Sequence, residues 1–151
     1  MWRNALETYL EDRILSADPV ELVHMLYQAG STAVGDARRH LAEGDIRERA
    51  RSISKACDIL LELASSLDHE RGGALSLRLA QLYSYMHTRL VDANAQQSDP
   101  ALAEVAELLA TLQEAWEGVR QRRETERSES PWMHAMVGEP ELAQATGGWS
   151  F

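Results

Sequence analysis

Apolar residues recur at intervals of three and four along most of the chain, which is the spacing of one face of an α-helix. The clearest example is residues 79–94, LAQLYSYMHTRLVDAN, a stretch that contains no Gly or Pro. Its apolar stripe, continued one turn upstream, consists of Leu75, Leu79, Leu82, Met86, Leu90 and Ala93. The sequence has no run of alternating β-branched residues of the kind that marks a strand. The pattern therefore predicts an all-α protein.

Capping residues mark the ends of the first two predicted helices. Asp18 suits the N-cap and Pro19 the first helical position, so the first helix begins there, and Glu43-Gly44 ends it. Asp45 opens the second helix, with Glu48 three residues on in a capping-box pattern. Its predicted core seam follows a heptad repeat: Ile46, Ala50, Ile53, Cys57, Leu60, Ala64 and Leu67.

Two further helices complete the predicted fold. The third covers roughly residues 74–96, and the fourth begins with Asp99 as N-cap and Pro100 at the first position, fraying beyond residue 120. Connections this short force neighbouring helices to run antiparallel. We expect an up-down four-helix bundle over 18–127, with an amphipathic N-terminal arm (1–17) and a disordered C-terminal tail (128–151).

The charge pattern does not favour nucleic-acid binding. The formal net charge is −9, whereas a nucleic-acid binder needs an unopposed basic face. Two basic clusters are present, and both have acidic residues nearby, so we interpret them as solvated helix faces. They consist of Arg47, Arg49, Arg51 and Lys55, and of Arg120, Arg122, Arg123 and Arg127.

Little in the sequence points to catalysis or to a cofactor. A di-metal bundle needs two Glu-x-x-His motifs, and only Glu21 with His24 matches. His24 and His87 are weak candidates for a phosphotransfer histidine. The single cysteine, Cys57, favours a reducing compartment. No signal peptide or membrane span is predicted, so we expect a cytoplasmic protein that is not an enzyme and has no metal or cofactor.

Several apolar residues fall outside the predicted core stripes. Leu77, Ala80 and Val91 lie nearly opposite the stripe of the third helix, for example. Surplus apolar surface usually marks an interaction site, although such residues can also broaden a core face. The predicted protein-binding surface consists of Tyr27, Ile59, Leu63, Leu77, Ala80, Tyr83, Tyr85 and Val91.

Several segments resemble, in the right order, the FliS family of bacterial flagellin-export chaperones. The resemblance runs from about residue 9 to residue 120. It is carried by YLEDRILSADPVELVHMLYQAG at the start, by AEGDI and LDHERGG in the turns, by LYSYM in the third helix and by LLATLQEAW in the fourth. One departure is Gln28-Ala29, where the family usually has Asp-Gly, and this puts any role of that acid in doubt.

The resemblance implies a function. Members of the family bind the C-terminal segment of flagellin in apolar grooves, prevent premature polymerisation and help to deliver flagellin to the export gate. It also implies that Tyr9, Leu10 and Ile14 of the arm cover the groove when no client is bound, although the arm could instead be a fixed cap of the bundle. We leave open a monomer or an arm-exchanged homodimer. The alternative functions are a histidine phosphotransfer domain and a generic helix-binding adaptor.

Overall fold

The computed structural model describes residues 19–128, which form four α-helices. These are α1 (Pro19–Glu43), α2 (Ile46–Ser65), α3 (His69–Gln96) and α4 (Asp99–Ser128). The described residues contain no β-strand. The predicted all-α four-helix bundle is therefore confirmed.

The connection between α1 and α2 follows the predicted capping chemistry. Gly44 adopts φ +76°, a left-handed conformation that favours glycine. This lets its N–H donate to the carbonyl of Leu41 (3.1 Å) and the N–H of Asp45 donate to the carbonyl of His40 (2.9 Å), as in a Schellman motif. The Asp45 carboxylate then accepts a hydrogen bond from the backbone N–H of Glu48 at 3.1 Å. Local sequence signals therefore set both helix ends here.

The start of α3 is interrupted by one glycine. Asp68 is the N-cap and accepts from the backbone N–H of Arg71 at 3.1 Å. Gly73 has φ 51° and ψ −125°, so the first turn is separated from the rest of the helix. Regular helix follows this break, at the position where the sequence predicted it to begin.

The predicted cap of α4 is wrong by one residue. Ser98, and not Asp99, accepts the hydrogen bond from the backbone N–H of Ala101, at 3.3 Å. The Asp99 carboxylate instead pairs with the Arg38 guanidinium on α1 through two hydrogen bonds of 2.9 and 3.0 Å. α4 continues to Ser128, so the segment that the sequence predicts to fray is helical as far as that residue.

α1 and α4 both contribute buried apolar side chains to the core. Gly30 has no side chain, so two helices can approach α1 closely there. A Cβ placed on Gly30 would lie 3.4 Å from Ile59 Cγ2 and 3.6 Å from Leu109 Cδ1. The fully buried apolar side chains of the core include Leu26, Tyr27, Val34, Ile59, Leu63, Met86, Leu90, Leu102, Val105 and Leu109.

The predicted seam of α2 is rotated from the observed one. Ile46, its first member, is 61% exposed, whereas Ile59 and Leu63, which the heptad pattern left outside the seam, are each 1% exposed. The physical reason is that α2 packs against both α1 and α3. Ile59 fills the space beside Gly30 of α1, so the buried face is wider than a two-residue seam and turned towards α1.

One basic residue predicted to be solvated is part of the interior. Arg49 is only 5% exposed. Its Nε donates to the side-chain oxygen of Asn94 at 3.0 Å and its Nη2 to the backbone carbonyl of Asn94 at 3.3 Å. Because Asn94 lies in the last turn of α3, the guanidinium satisfies a carbonyl that has no partner within the helix and opposes the negative end of the helix dipole.

The chain divides into two compact units, with the boundary between Trp116 and Glu117. The first, residues 1–116, contains the core just described. In the second, residues 117–151, the described part is helical as far as Ser128, and Arg120 pairs with Glu117 at 3.0 Å. The domain boundaries expected from the sequence, with a bundle over 18–127, remain a prediction.

Candidate functional site

An apolar pocket lies beside the start of α1 and the connection between α2 and α3. We call it the end pocket; its volume is about 310 Å³. Gly72 and the break at Gly73 turn the chain at its edge. The apolar side chains that line it are Pro19, Val20, Val23, Tyr27, Leu67, Leu75, Leu79, Tyr83 and Trp116.

Two buried tyrosines form the inner wall of the end pocket. Tyr27 is 1% and Tyr83 is 3% exposed, and their hydroxyl oxygens lie 2.6 Å apart. Burial raises the pKa of both phenols above the ordinary value, so both are neutral at physiological pH. The Tyr27 ring meets the Trp116 ring edge-on with centroids 6.2 Å apart. Trp116 in turn donates from Nε1 to the Val20 carbonyl at 3.0 Å, which fixes the wall in place.

A second pocket lies between α2 and α3. We call it the α2/α3 groove; its volume is about 240 Å³. Tyr83 lines this groove as well as the end pocket, so the two share one wall residue. The groove is lined by Leu60, Leu61, Ala64, Ala80, Tyr83, Ser84, His87 and Thr88.

Exposed apolar side chains extend the groove along α3. Leu77 is 57% and Val91 is 50% exposed. At about 100° per residue, both fall on the same face of α3 as Ala80 and Ser84, which line the groove. Exposed Leu61 lies across from them on α2. The end pocket and the groove thus share Tyr83 as a wall residue, and together with the exposed apolar side chains at their edges they make up the candidate surface.

Five of the eight residues predicted to bind a partner lie on this surface. Leu77 and Val91 are exposed, Ala80 is half-buried in the groove, and Tyr27 and Tyr83 form the wall of the end pocket. Tyr27 and Tyr83 are core residues as well, so only the parts of their side chains that face a pocket are available. Contact of these residues with a client remains a prediction.

The other three predicted residues lie elsewhere. Ile59 and Leu63 are fully buried in the core, because α2 turns them towards α1, and cannot be reached from outside. Tyr85 is exposed, but it lies towards α4, where its hydroxyl donates to Glu104 Oε2 at 2.7 Å. It lines neither the end pocket nor the groove.

The sequence reasoning missed most of the residues that line the two pockets. Leu75 was assigned to the core stripe of α3 but is exposed at the edge of the end pocket. Gly72-Gly73 just upstream was the available signal, since a break there removes the first turn from the regular packing of α3. Leu61 and Trp116 also line the pockets, and nothing in the sequence distinguishes them from ordinary core residues.

The arm residues predicted to cover the groove, Tyr9, Leu10 and Ile14, lie outside the described residues.

Between residues 19 and 128, no group of three or more metal-binding side chains occurs. In the same part of the chain, no helix is both long and apolar enough to cross a membrane. Cys57 is half-buried and packs against the core, and burial raises the pKa of its thiol to about 11, so the thiol is protonated at neutral pH.

The fold and the surface define an all-α helical bundle with apolar pockets and exposed apolar side chains beside them. Comparison with known proteins identifies the family. A family model described as "Flagellar protein FliS" matches residues 2–123. The chain therefore belongs to the FliS family of flagellar proteins.

Individual relatives agree with this assignment. The flagellar secretion chaperone FliS of Salmonella typhimurium is 36% identical over 111 residues, covering 73% of this chain and 82% of the relative. The flagellar secretion chaperone FliSB of Pseudomonas aeruginosa is also 36% identical, over 110 residues, covering 73% and 87%. That of Bacillus subtilis is 29% identical over 125 residues, covering 83% and 92%.

Proposed function

We propose that this chain is a cytoplasmic chaperone that binds the C-terminal segment of flagellin and keeps it from polymerising before export. The relatives named above as flagellar secretion chaperones support this assignment. The observation that carries it is the apolar surface made up of the end pocket, the α2/α3 groove and the exposed apolar side chains at their edges. Large apolar side chains remain exposed along it although the bundle already has a complete core: Leu61, Leu75, Leu77 and Val91.

The chemistry of this surface suits a client that is unfolded before binding. Burying apolar area contributes about 25 cal/mol per Å², and a client that orders on binding loses a large part of that gain. A single small pocket would not compensate for the ordering. Two pockets joined by exposed apolar side chains can accept an amphipathic helix and the segment next to it, and the binding remains reversible.

The N-terminal arm is proposed to cover this surface in the absence of a client. Pro19, where the described chain begins, lines the end pocket, so the residues immediately before it are within reach of the apolar lining. Tyr9, Leu10 and Ile14 would be the covering side chains. A variant lacking residues 1–17 should then bind flagellin more tightly than the full chain; a fixed cap would instead leave a less stable bundle and no gain in affinity.

No catalytic role is proposed. The alternative of a phosphotransfer domain needs an exposed histidine, whereas His24 is only 9% exposed and His87 is half-buried at the groove. Incubation with acetyl phosphate or a histidine kinase should leave no acid-labile phosphohistidine on this chain. Acid-labile phosphohistidine at His24 or His87 would favour the phosphotransfer alternative.

Seeded polymerisation of flagellin tests the proposal directly. Monomeric flagellin from the same organism is mixed with short filament seeds, with and without an equimolar amount of this chain. The chain should suppress filament growth and co-elute with monomeric flagellin as one complex, whose mass also distinguishes one copy of the chain from two. Undiminished growth and separate elution would contradict the proposal. A generic helix-binding adaptor would bind unrelated amphipathic helices equally well.

A further inference from the structure

The Tyr27–Tyr83 pair in the wall of the end pocket has two hydroxyl hydrogens, and the hydrogen bond between the two side chains uses only one of them. Each hydroxyl carries one hydrogen, and the two oxygens, 2.6 Å apart, share a single hydrogen bond. Both phenols are neutral because burial raises the pKa of each. No other hydrogen bond of either hydroxyl occurs among residues 19–128. One O–H is therefore left as a donor in a wall made mostly of apolar side chains.

A buried donor without an acceptor is costly, and the surroundings of this one indicate what would satisfy it. The first turn of α1 contributes Pro19 and Val20 to the end pocket, so the positive end of that helix dipole lies at the pocket. Arg71 adds a guanidinium at the rim. Among residues 19–128, the carboxylate that lines the pocket is that of Asp68; it already accepts from the backbone N–H of Arg71 and lies 3.9 Å from the Arg71 Nε.

We propose that the end pocket binds the C-terminal end of a client helix, with a free carbonyl oxygen of its last turn accepting a hydrogen bond from the Tyr27–Tyr83 hydroxyl pair. The last four carbonyls of a helix have no partner within the helix and carry its negative dipole end. Apolar side chains of the same turn fill the rest of the pocket. This inference rests on the proposed function, because it takes the client to be the flagellin segment, and it fixes the direction in which that segment lies.

Affinity for flagellin tests the hydrogen bond. The variant Tyr27→Phe/Tyr83→Phe removes both hydroxyls and keeps both rings, so the apolar wall is preserved. It should bind flagellin about tenfold more weakly than the wild type, the usual effect of one lost hydrogen bond. Tyr85→Phe is the matched control, since Tyr85 bonds to Glu104 outside both pockets, and it should bind as the wild type does.

The outcomes separate this inference from the function on which it rests. If the wild type binds and the double Phe variant binds equally well, the pair is only an apolar wall and the inference is wrong. If the wild type does not bind flagellin at all, the proposed function fails with it. If the double variant does not fold, NMR of the wild type labelled with ¹³C at tyrosine Cζ tests the inference instead. Saturation with flagellin should shift one of the two resonances of the buried tyrosines and slow the exchange of its hydroxyl hydrogen. Two unchanged resonances would overturn the inference.

Photo-cross-linking tests the direction of the client. A photoreactive amino acid replaces Leu75, which is exposed at the pocket edge and outside the core. Its cross-links to flagellin should fall in the last turn of a segment whose amides are protected from hydrogen exchange in the complex. Cross-links to the middle or the start of such a segment would show that the pocket does not receive a helix C-terminus.

Discussion

The two sides of α3 differ in the contacts that their exposed residues make. On the side towards α4, the Tyr85 hydroxyl and the Arg89 guanidinium both bind the Glu104 carboxylate, each at 2.7 Å. On the other side, roughly a third of a turn away, Leu77 and Val91 project into solvent beside the α2/α3 groove. One helix thus has a side closed by polar contacts within the bundle and a side left apolar and open.

This difference separates apolar residues that stabilise the fold from those available for binding. A side chain that faces a neighbouring helix has its partner already, whether that partner is a carboxylate or a buried methyl group. Exposed large apolar side chains beside a groove have none within residues 19–128, and keeping them costs solubility. The comparison predicts that substitutions in the core will change stability, whereas substitutions on the open side will change client affinity.

The largest expected effect on stability is in the core of α2. Leu63→Ala should lower the free energy of unfolding by about 2–5 kcal/mol, because it leaves a cavity at a fully buried site. Leu61→Ala, two residues away and exposed, should change it by less than about 0.5 kcal/mol. Urea denaturation measures both. Equal effects would mean that the distinction between closed and open sides does not hold for α2.

The open side of α3 should control client affinity. Leu77→Asp/Val91→Asp should weaken flagellin binding by about 100-fold, since two apolar contacts are lost and two charges must be desolvated. The unfolding free energy should change little, because both residues are exposed. The control Ala110→Asp/Thr111→Asp adds the same charge at exposed positions of α4 that line neither pocket. A comparable loss in that control would show that the acidic charge, not the apolar surface, is responsible.

The half-buried thiol of Cys57 gives a pH-dependent prediction. Because the pKa of Cys57 is raised from 9.0 to about 11, the thiolate fraction at pH 8 is about 100-fold lower than for a free thiol. Alkylation by iodoacetamide should be slower by that factor and should accelerate up to about pH 11. A raised pKa also means that folding stability from this group is present below pH 9 and is lost as the pH rises towards 11. Alkylation of Cys57 in the folded protein at the rate of the unfolded chain would contradict the raised pKa.

The buried arginine at the end of α3 should matter more than its exposed neighbour. Arg49→Met should lower the free energy of unfolding by about 1–3 kcal/mol, because Asn94 then loses the donor to its half-buried side-chain oxygen and to its carbonyl. The matched change Arg51→Met, on the same helix but exposed and paired only with Glu48, should cost less than about 1 kcal/mol. Thermal unfolding of both variants distinguishes the two environments.

The closed side of α3 should show the smallest effect on binding. Glu104→Gln removes the charge that Tyr85 and Arg89 share, and flagellin affinity should stay within about twofold of the wild type, since exposed ion pairs contribute little. The hydrogen bonds from Tyr85 and Arg89 lower the pKa of the Glu104 carboxyl. The stability they contribute is therefore present above its unfolded pKa and is lost as the pH falls through the folded value. A large loss of affinity would place this side within the client surface.

The helix boundaries could be predicted because their signals are local. Asp45 with Glu48, and Gly44 before them, determine one connection within a few residues. The cap of α4 was misassigned because Ser98 and Asp99 are both good N-caps, and only the position of Arg38 on another helix decides between them. The choice between Ile59 and Ile46 as core residues likewise depends on which helices lie against α2, and a heptad count does not contain that information.

The candidate surface was only partly predictable for the same reason. Leu77 and Val91 lie far enough from the core stripe that their exposure follows from periodicity alone. Tyr27 and Tyr83 could not be placed, because a residue at the edge of a stripe becomes core or pocket wall according to its neighbours. The hydroxyl pair joins residues 56 positions apart in the sequence, and no spacing rule connects them.

The most direct test of the binding surface is a calorimetric titration of this chain with flagellin from the same organism, intact and lacking its C-terminal segment. The chain should bind intact flagellin saturably with a negative heat-capacity change, the mark of buried apolar area, and should not bind the truncated form. Equal binding of both forms, or no binding of the intact form even after the covering arm, residues 1–17, is removed, would contradict the proposal.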